Sequence, residues 1–84
     1  MNLTAAREQV LRAVARGEVT RNNRDDTRPC WDRGRRKAVT VQVKWLRNAG
    51  MVTYNVDLRA GWTPVTLTPA GREWLDANPE KGAD

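Results

Sequence analysis

The sequence predicts a single α+β domain, with three to four helices and a C-terminal ribbon of two to three strands. Three stretches carry that prediction. Residues 38–50 (AVTVQVKWLRNAG) place Val39, Val43 and Leu46 at i, i+4 and i+7 ahead of a glycine, the pattern of an amphipathic helix and its stop. Two runs of strand character, MVTYNVD and WTPVTL, flank LRAG. LTPAGREWL then reads as a helix capped by Thr68 with Pro69 at its first position.

The remaining elements follow in order. A first helix is expected from about Leu3 to Arg16: Leu3, Val10, Leu11 and Val14 recur at helical spacing, Thr4 suits the N-cap, and Gly17 suits the left-handed position beyond the end. Gly17 to Thr20 reads as a brief extended segment whose Val19 can pair beside the later ribbon as a third strand. Residues 21–29 (RNNRDDTRP) are polar and rich in turn formers, so a loop is expected. Pro29 can open a short helix over Cys30, Trp31, Asp32 and Arg33, after which Gly34 turns the chain and Arg35, Arg36 and Lys37 lead into the helix of Ala38 to Ala49.

On that helix Thr40, Val41 and Lys44 group away from the apolar stripe, and Arg47 lies on another face. Val39, Val41 and Val43 alternate as a strand would, but a strand leaves Leu46 and Gly50 without a role. Met51 to Asp57 and Trp62 to Leu67 are the two strands, with Pro64 marking an edge or a bulge. In the last helix Ala70, Trp74 and Leu75 are expected to face inward before Asn78-Pro79 ends it. Residues 1–78 thus make one domain and 79–84 a frayed tail, with no internal repeat.

Composition narrows the function. A chain of 84 residues buries only a modest core, so the four tryptophans are expected to carry much of the packing. With one cysteine and no histidine, the chain has no internal disulfide, no conventional zinc cluster and no histidine general base. Arginines near Cys30 are expected to lower its pKa, yet no base stands ready to use it, and Asp25-Asp26 on a loop offers poor metal geometry. No nucleophile–base pair or phosphate-cradling glycine loop is visible, so a non-enzymatic protein without metal or cofactor is expected. The lack of a long apolar run points to a cytoplasmic setting without a membrane.

The net charge of +5 is concentrated: residues 21–47 hold nine basic and three acidic side chains. Such focusing attracts polyanions. A solvated, solubilising face is the alternative for any of these charges.

VTVQVKWLRNAGMV and LTPAGREWL, with a ribbon between them, resemble the winged helix-turn-helix superfamily, in particular MarR-like regulators and small winged-helix proteins of actinobacteria and their phages. The resemblance covers residues 38–75 and extends over Leu3 to Thr20 as first helix and first strand. It implies double-stranded DNA binding by a small transcriptional regulator or recombination accessory factor, sequence-specific or architectural, with the helix of 38–49 in the major groove. Ala38, Thr40, Val41 and Lys44 would then face the bases, with Arg36 and Lys37 at the helix start. Arg33, Arg35, Arg36 and Lys37 suit phosphates better than bases, Arg47 adds to that set, and Arg59 at the ribbon tip would enter the minor groove.

Two departures stand out. Residues 21–37 are arginine-rich where the family has its second helix, and the long flanking helices that dimerise MarR-like regulators have no counterpart, which leaves at most a weak homodimer. The alternative reading is a winged-helix module for protein–protein contact, such as a phage protein that inhibits a host factor. Trp31 and Arg28 would form that partner surface.

Overall fold

The computed structural model describes residues 3–22, 28–54 and 61–79. Eight elements follow one another: α1 (Ala5–Ala15), β1 (Val19–Asn22), β2 (Trp31–Asp32), β3 (Lys37–Ala38), α2 (Thr40–Asn48), β4 (Val52–Tyr54), β5 (Trp62–Leu67) and α3 (Pro69–Ala77). All strand pairs are antiparallel, in the order β3-β2-β1-β5-β4. The class is therefore α+β, with three helices and a five-stranded sheet among the described residues. β1 lies at the centre, pairing Val19 with Asp32 on one side and Thr20 with Pro64 on the other. The expected third strand beside the ribbon is present.

α1 and α2 end as their sequences predict. After α1 the N–H of Glu18 donates to Ala13 O at 3.0 Å and that of Gly17 to Val14 O at 3.0 Å, with Gly17 at φ 75°. After α2 the N–H of Met51 donates to Leu46 O at 2.9 Å and that of Gly50 to Arg47 O at 3.0 Å, with Gly50 at φ 77°. Each pair satisfies carbonyls that would otherwise lack partners, and each needs the left-handed backbone that glycine adopts without strain. Thr4 caps α1 by accepting from the Arg7 N–H, and Thr68 caps α3 by accepting from the Gly71 N–H.

The expected short helix over Cys30 to Arg33 is absent. These residues form β2, which turns back through 33–36 into β3. The burial pattern explains why: Cys30 and Asp32 are buried while Trp31 between them is half-buried, an alternation that suits a strand. One oxygen of Asp32, Oδ1, accepts from the N–H groups of Gly34 and Arg35 and so folds the turn locally. Its other oxygen, Oδ2, is buried and meets no partner among the described residues. Ala38 is likewise not helical but belongs to β3, and α2 begins at Thr40.

The core is aliphatic. Val10, Leu11, Ala13, Val14, Val19, Val39, Val43, Leu46, Met51, Val52 and Val65 are buried, together with Cys30. None of the four tryptophans belongs to it, contrary to expectation. Trp45 and Trp74 are partly buried against its margin. Trp31 stands opposite Thr20 and Trp62 opposite Asn22, on the side of the pleat away from buried Val19, Asp32, Thr63 and Val65. Ala70 is exposed rather than inward, while Trp74 and Leu75 are partly buried as expected. Pro64 is not at an outer edge: it pairs with Thr20, and the described pairing with β4 runs only from Val65 to Leu67.

α3 is fastened to the corner after α2. Thr68 donates its hydroxyl to Gly50 O and its N–H to Met51 O. Gly71 is the buried residue of α3, and a Cβ there would collide with the Met51 carbonyl oxygen. Gly71→Ala is therefore expected to destabilise the domain by about 1–3 kcal/mol, the usual range for overpacking, measured by urea denaturation. Ala70→Ser, one position earlier on an exposed site, should change stability by less than about 0.5 kcal/mol.

Candidate nucleic-acid interface

α2 separates its faces sharply. Val43 and Leu46 are fully buried, whereas Val41 is 75% exposed and Lys44 and Arg47 are exposed. The N-terminus of α2 is fixed by β2: the Cys30 N–H donates to Thr40 Oγ1 at 3.0 Å, and the Val39 N–H donates to Cys30 O at 2.8 Å. The Thr40 oxygen is thus engaged within the fold, and its O–H retains a donor.

The C-terminal half of α2 meets a residue that the sequence reading did not select. Tyr54 on β4 receives two guanidinium groups, Arg21 at 4.5 Å and Arg47 at 4.7 Å from the ring centroid. Each such contact is worth about 0.5–1 kcal/mol at an exposed site, and together they orient two cations beside one ring. Arg21 looked like the start of a loop. The alternation Val19-Thr20-Arg21-Asn22 was the available signal, because an inward Val19 places Arg21 on the same side of the strand.

Cys30 connects this patch to α2. Burial pushes its thiol above the ordinary range, and the nearby charges of Arg21 and Lys44 only partly oppose this. The expectation of a lowered pKa is therefore overturned, since loss of solvation outweighs the cations. Arg21 and Arg47 converge on Tyr54, and Lys44 is exposed three residues before Arg47 on α2.

The basic residues before α2 do not form one stripe with it. Arg33 donates its N–H to Glu18 O at 2.9 Å and a guanidinium N–H to Gly17 O at 3.0 Å, which ties the turn to the end of α1. Gly34 lies against the Glu18 carboxylate, and Arg35 lines a groove with Arg12, Arg16 and Trp74. Arg36, Lys37 and Ala38 are exposed on the approach to α2. Arg36 has φ 54°, in the left-handed region that only glycine enters freely. Arg59 lies outside the described residues.

On the other side of the sheet, Thr20, Arg28, Pro29, Trp31, Arg33 and Trp62 line a shallow cleft of about 610 Å³. It brings together Arg28 and Trp31, the two residues of the alternative partner surface, and adds Trp62. Among the described residues no three His, Cys, Asp or Glu side chains come together as a metal site, and no helix is long and apolar enough to cross a membrane. Comparison with protein-family models, curated proteins and solved structures returns no match.

Two predictions follow from this geometry. Cys30 in the native protein should react with a disulfide reagent at pH 7.5 at least about tenfold more slowly than in urea, read by thiol absorbance. Because the folded thiol holds its proton more tightly than the unfolded one, its contribution to stability is complete below the unfolded pKa and declines as pH rises above it. Arg36→Gly should leave stability unchanged or raise it by up to about 1 kcal/mol in thermal denaturation, whereas Arg36→Ala retains the backbone strain.

Proposed function

We propose that the chain binds double-stranded DNA as a variant winged helix-turn-helix domain, in which the β2–β3 hairpin replaces the second helix. The observation that carries this reading is α2 itself, with Val43 and Leu46 buried and Val41 and Lys44 turned outward beside the Arg21–Tyr54–Arg47 cluster. An α-helix fits the major groove. On this reading Lys44 reaches the guanine O6 and N7 acceptors, and Val41 meets a thymine methyl. Arg21 and Arg47, held against Tyr54, contact the flanking phosphates, and Arg36 and Lys37 add phosphate contacts at the helix start. The β4–β5 ribbon extends toward the adjacent groove.

The element order supports the reading in part: a helix, a strand, the β2–β3 hairpin, α2, then a ribbon whose second strand pairs with the first strand. A net charge of +5 favours encounter with DNA. The role is that of a small regulator or recombination accessory factor.

The test is a mobility-shift titration on random 20-base-pair duplex at several salt concentrations. Lys44→Ala should weaken binding by about five- to a hundredfold. Arg47→Ala should reduce the slope of log affinity against log salt by about 0.9, the value for one lost phosphate contact. Unchanged affinity in both variants would refute the assignment of α2.

A further inference from the structure

The cleft on the outer sheet face has no part in the duplex reading, because it lies on the opposite side of the sheet from the core that seats α2. We propose that it is a stacking site for unpaired nucleotides of single-stranded DNA. Trp31 on β2 and Trp62 on β5 flank the central strand β1, two strand spacings apart and offset by two residues along it, or about 12 Å on the diagonal. Thr20 of β1 lines the cleft between them, and Arg28 and Arg33 form exposed parts of its lining, Arg33 with one guanidinium N–H already given to Gly17 O and its other donors left for a ligand. Trp62 is 50% exposed, an indole left open on an otherwise threonine-rich surface. Among the described residues no carboxylate lines the cleft.

The chemistry selects the occupant. Indole faces accept the π-face of any base, and guanidinium groups hold the phosphates between successive bases. A duplex cannot use this surface, since its base faces are stacked on one another. An extended acidic peptide fits less well. It would lie across a sheet face whose backbone N–H and C=O groups are committed to strand pairing, so its own amides would lose water and gain few partners. A base presents an apolar face to the tryptophans and keeps its polar edge toward solvent or the Thr20 hydroxyl. The choice of DNA over RNA rests on the duplex reading of α2; the stacking geometry does not.

Fluorescence anisotropy with labelled ten-nucleotide single strands tests this, using the full chain. Trp62→Ala, a change at an exposed position, should weaken binding of oligo-dT by about five- to a hundredfold, the range for one lost stacking contact. Trp31→Phe keeps an aromatic face where the side chain is half-buried, and should weaken binding less than Trp62→Ala. An abasic strand of the same length should bind the native protein at least as weakly as oligo-dT binds the Trp62 variant. Lys44→Ala should leave the single-strand affinity near native, and Trp62→Ala should leave the duplex affinity near native, so the two sites fail or hold separately.

Equal affinity for abasic and normal strands would overturn the proposal, since charge alone would then account for binding. So would preference for oligo-U RNA of the same length. Capture by the cleft of an acidic, proline-containing peptide, sensitive to Trp62→Ala while oligo-dT is not, would assign the surface to a protein partner. Self-association abolished by Trp62→Ala in sedimentation would assign it to a second copy of the chain.

Discussion

Val39, Val43 and Leu46 close α2 onto the core, and two corners hold its ends in place. At the start, Cys30 binds the Val39 N–H and the Thr40 hydroxyl oxygen through its backbone. At the end, Gly50 reverses the chain while Thr68 binds the Gly50 and Met51 carbonyls and begins α3. The helix has only nine residues and would not persist alone. Its direction is set by these corners and by the apolar stripe beneath it. Every outward side chain on α2 inherits its position from that seat.

The sequence was most informative where local chemistry and tertiary packing agreed. Thr4, Gly17, Gly50, Thr68 and Pro69 act as caps and stops in the structure as they do in isolated motifs, and the stripe at 39, 43 and 46 is buried. The segment around Trp31 was misread because two-residue strands leave almost no periodic signal. Its decisive feature, the side chain of Asp32 folding the turn at Gly34 and Arg35, is a hydrogen-bond arrangement that composition does not encode. For the tryptophans, hydrophobic size suggests burial, whereas strand register decides which side of the pleat receives Trp31 and Trp62. Arg21 was missed because its ring partner, Tyr54, lies 33 residues later and two strands away in the sheet.

Register also divides the charge. A run that looks continuous in sequence, from Arg33 to Arg47, is split by folding. Arg33 and Arg35 go to the end of α1 and its neighbouring groove, and Lys44 and Arg47 go to the side of Tyr54. On the α1 side Glu8 pairs with Arg12 at 2.8 Å and Glu18 with Arg16 at 3.3 Å, which moderates the field there. Around Tyr54 the guanidinium groups of Arg21 and Arg47 are ordered by an aromatic ring instead.

The position of β1 in mid-sheet has a consequence for synthesis. Both of its neighbours follow it along the chain, β2 shortly after it and β5 only from Trp62 onward. While the ribosome has delivered the first half alone, one side of β1 is a row of bare amides and carbonyls, open to any passing strand. A nascent chain or a truncation ending before Trp62 therefore carries an adhesive edge that only the last quarter of the sequence closes.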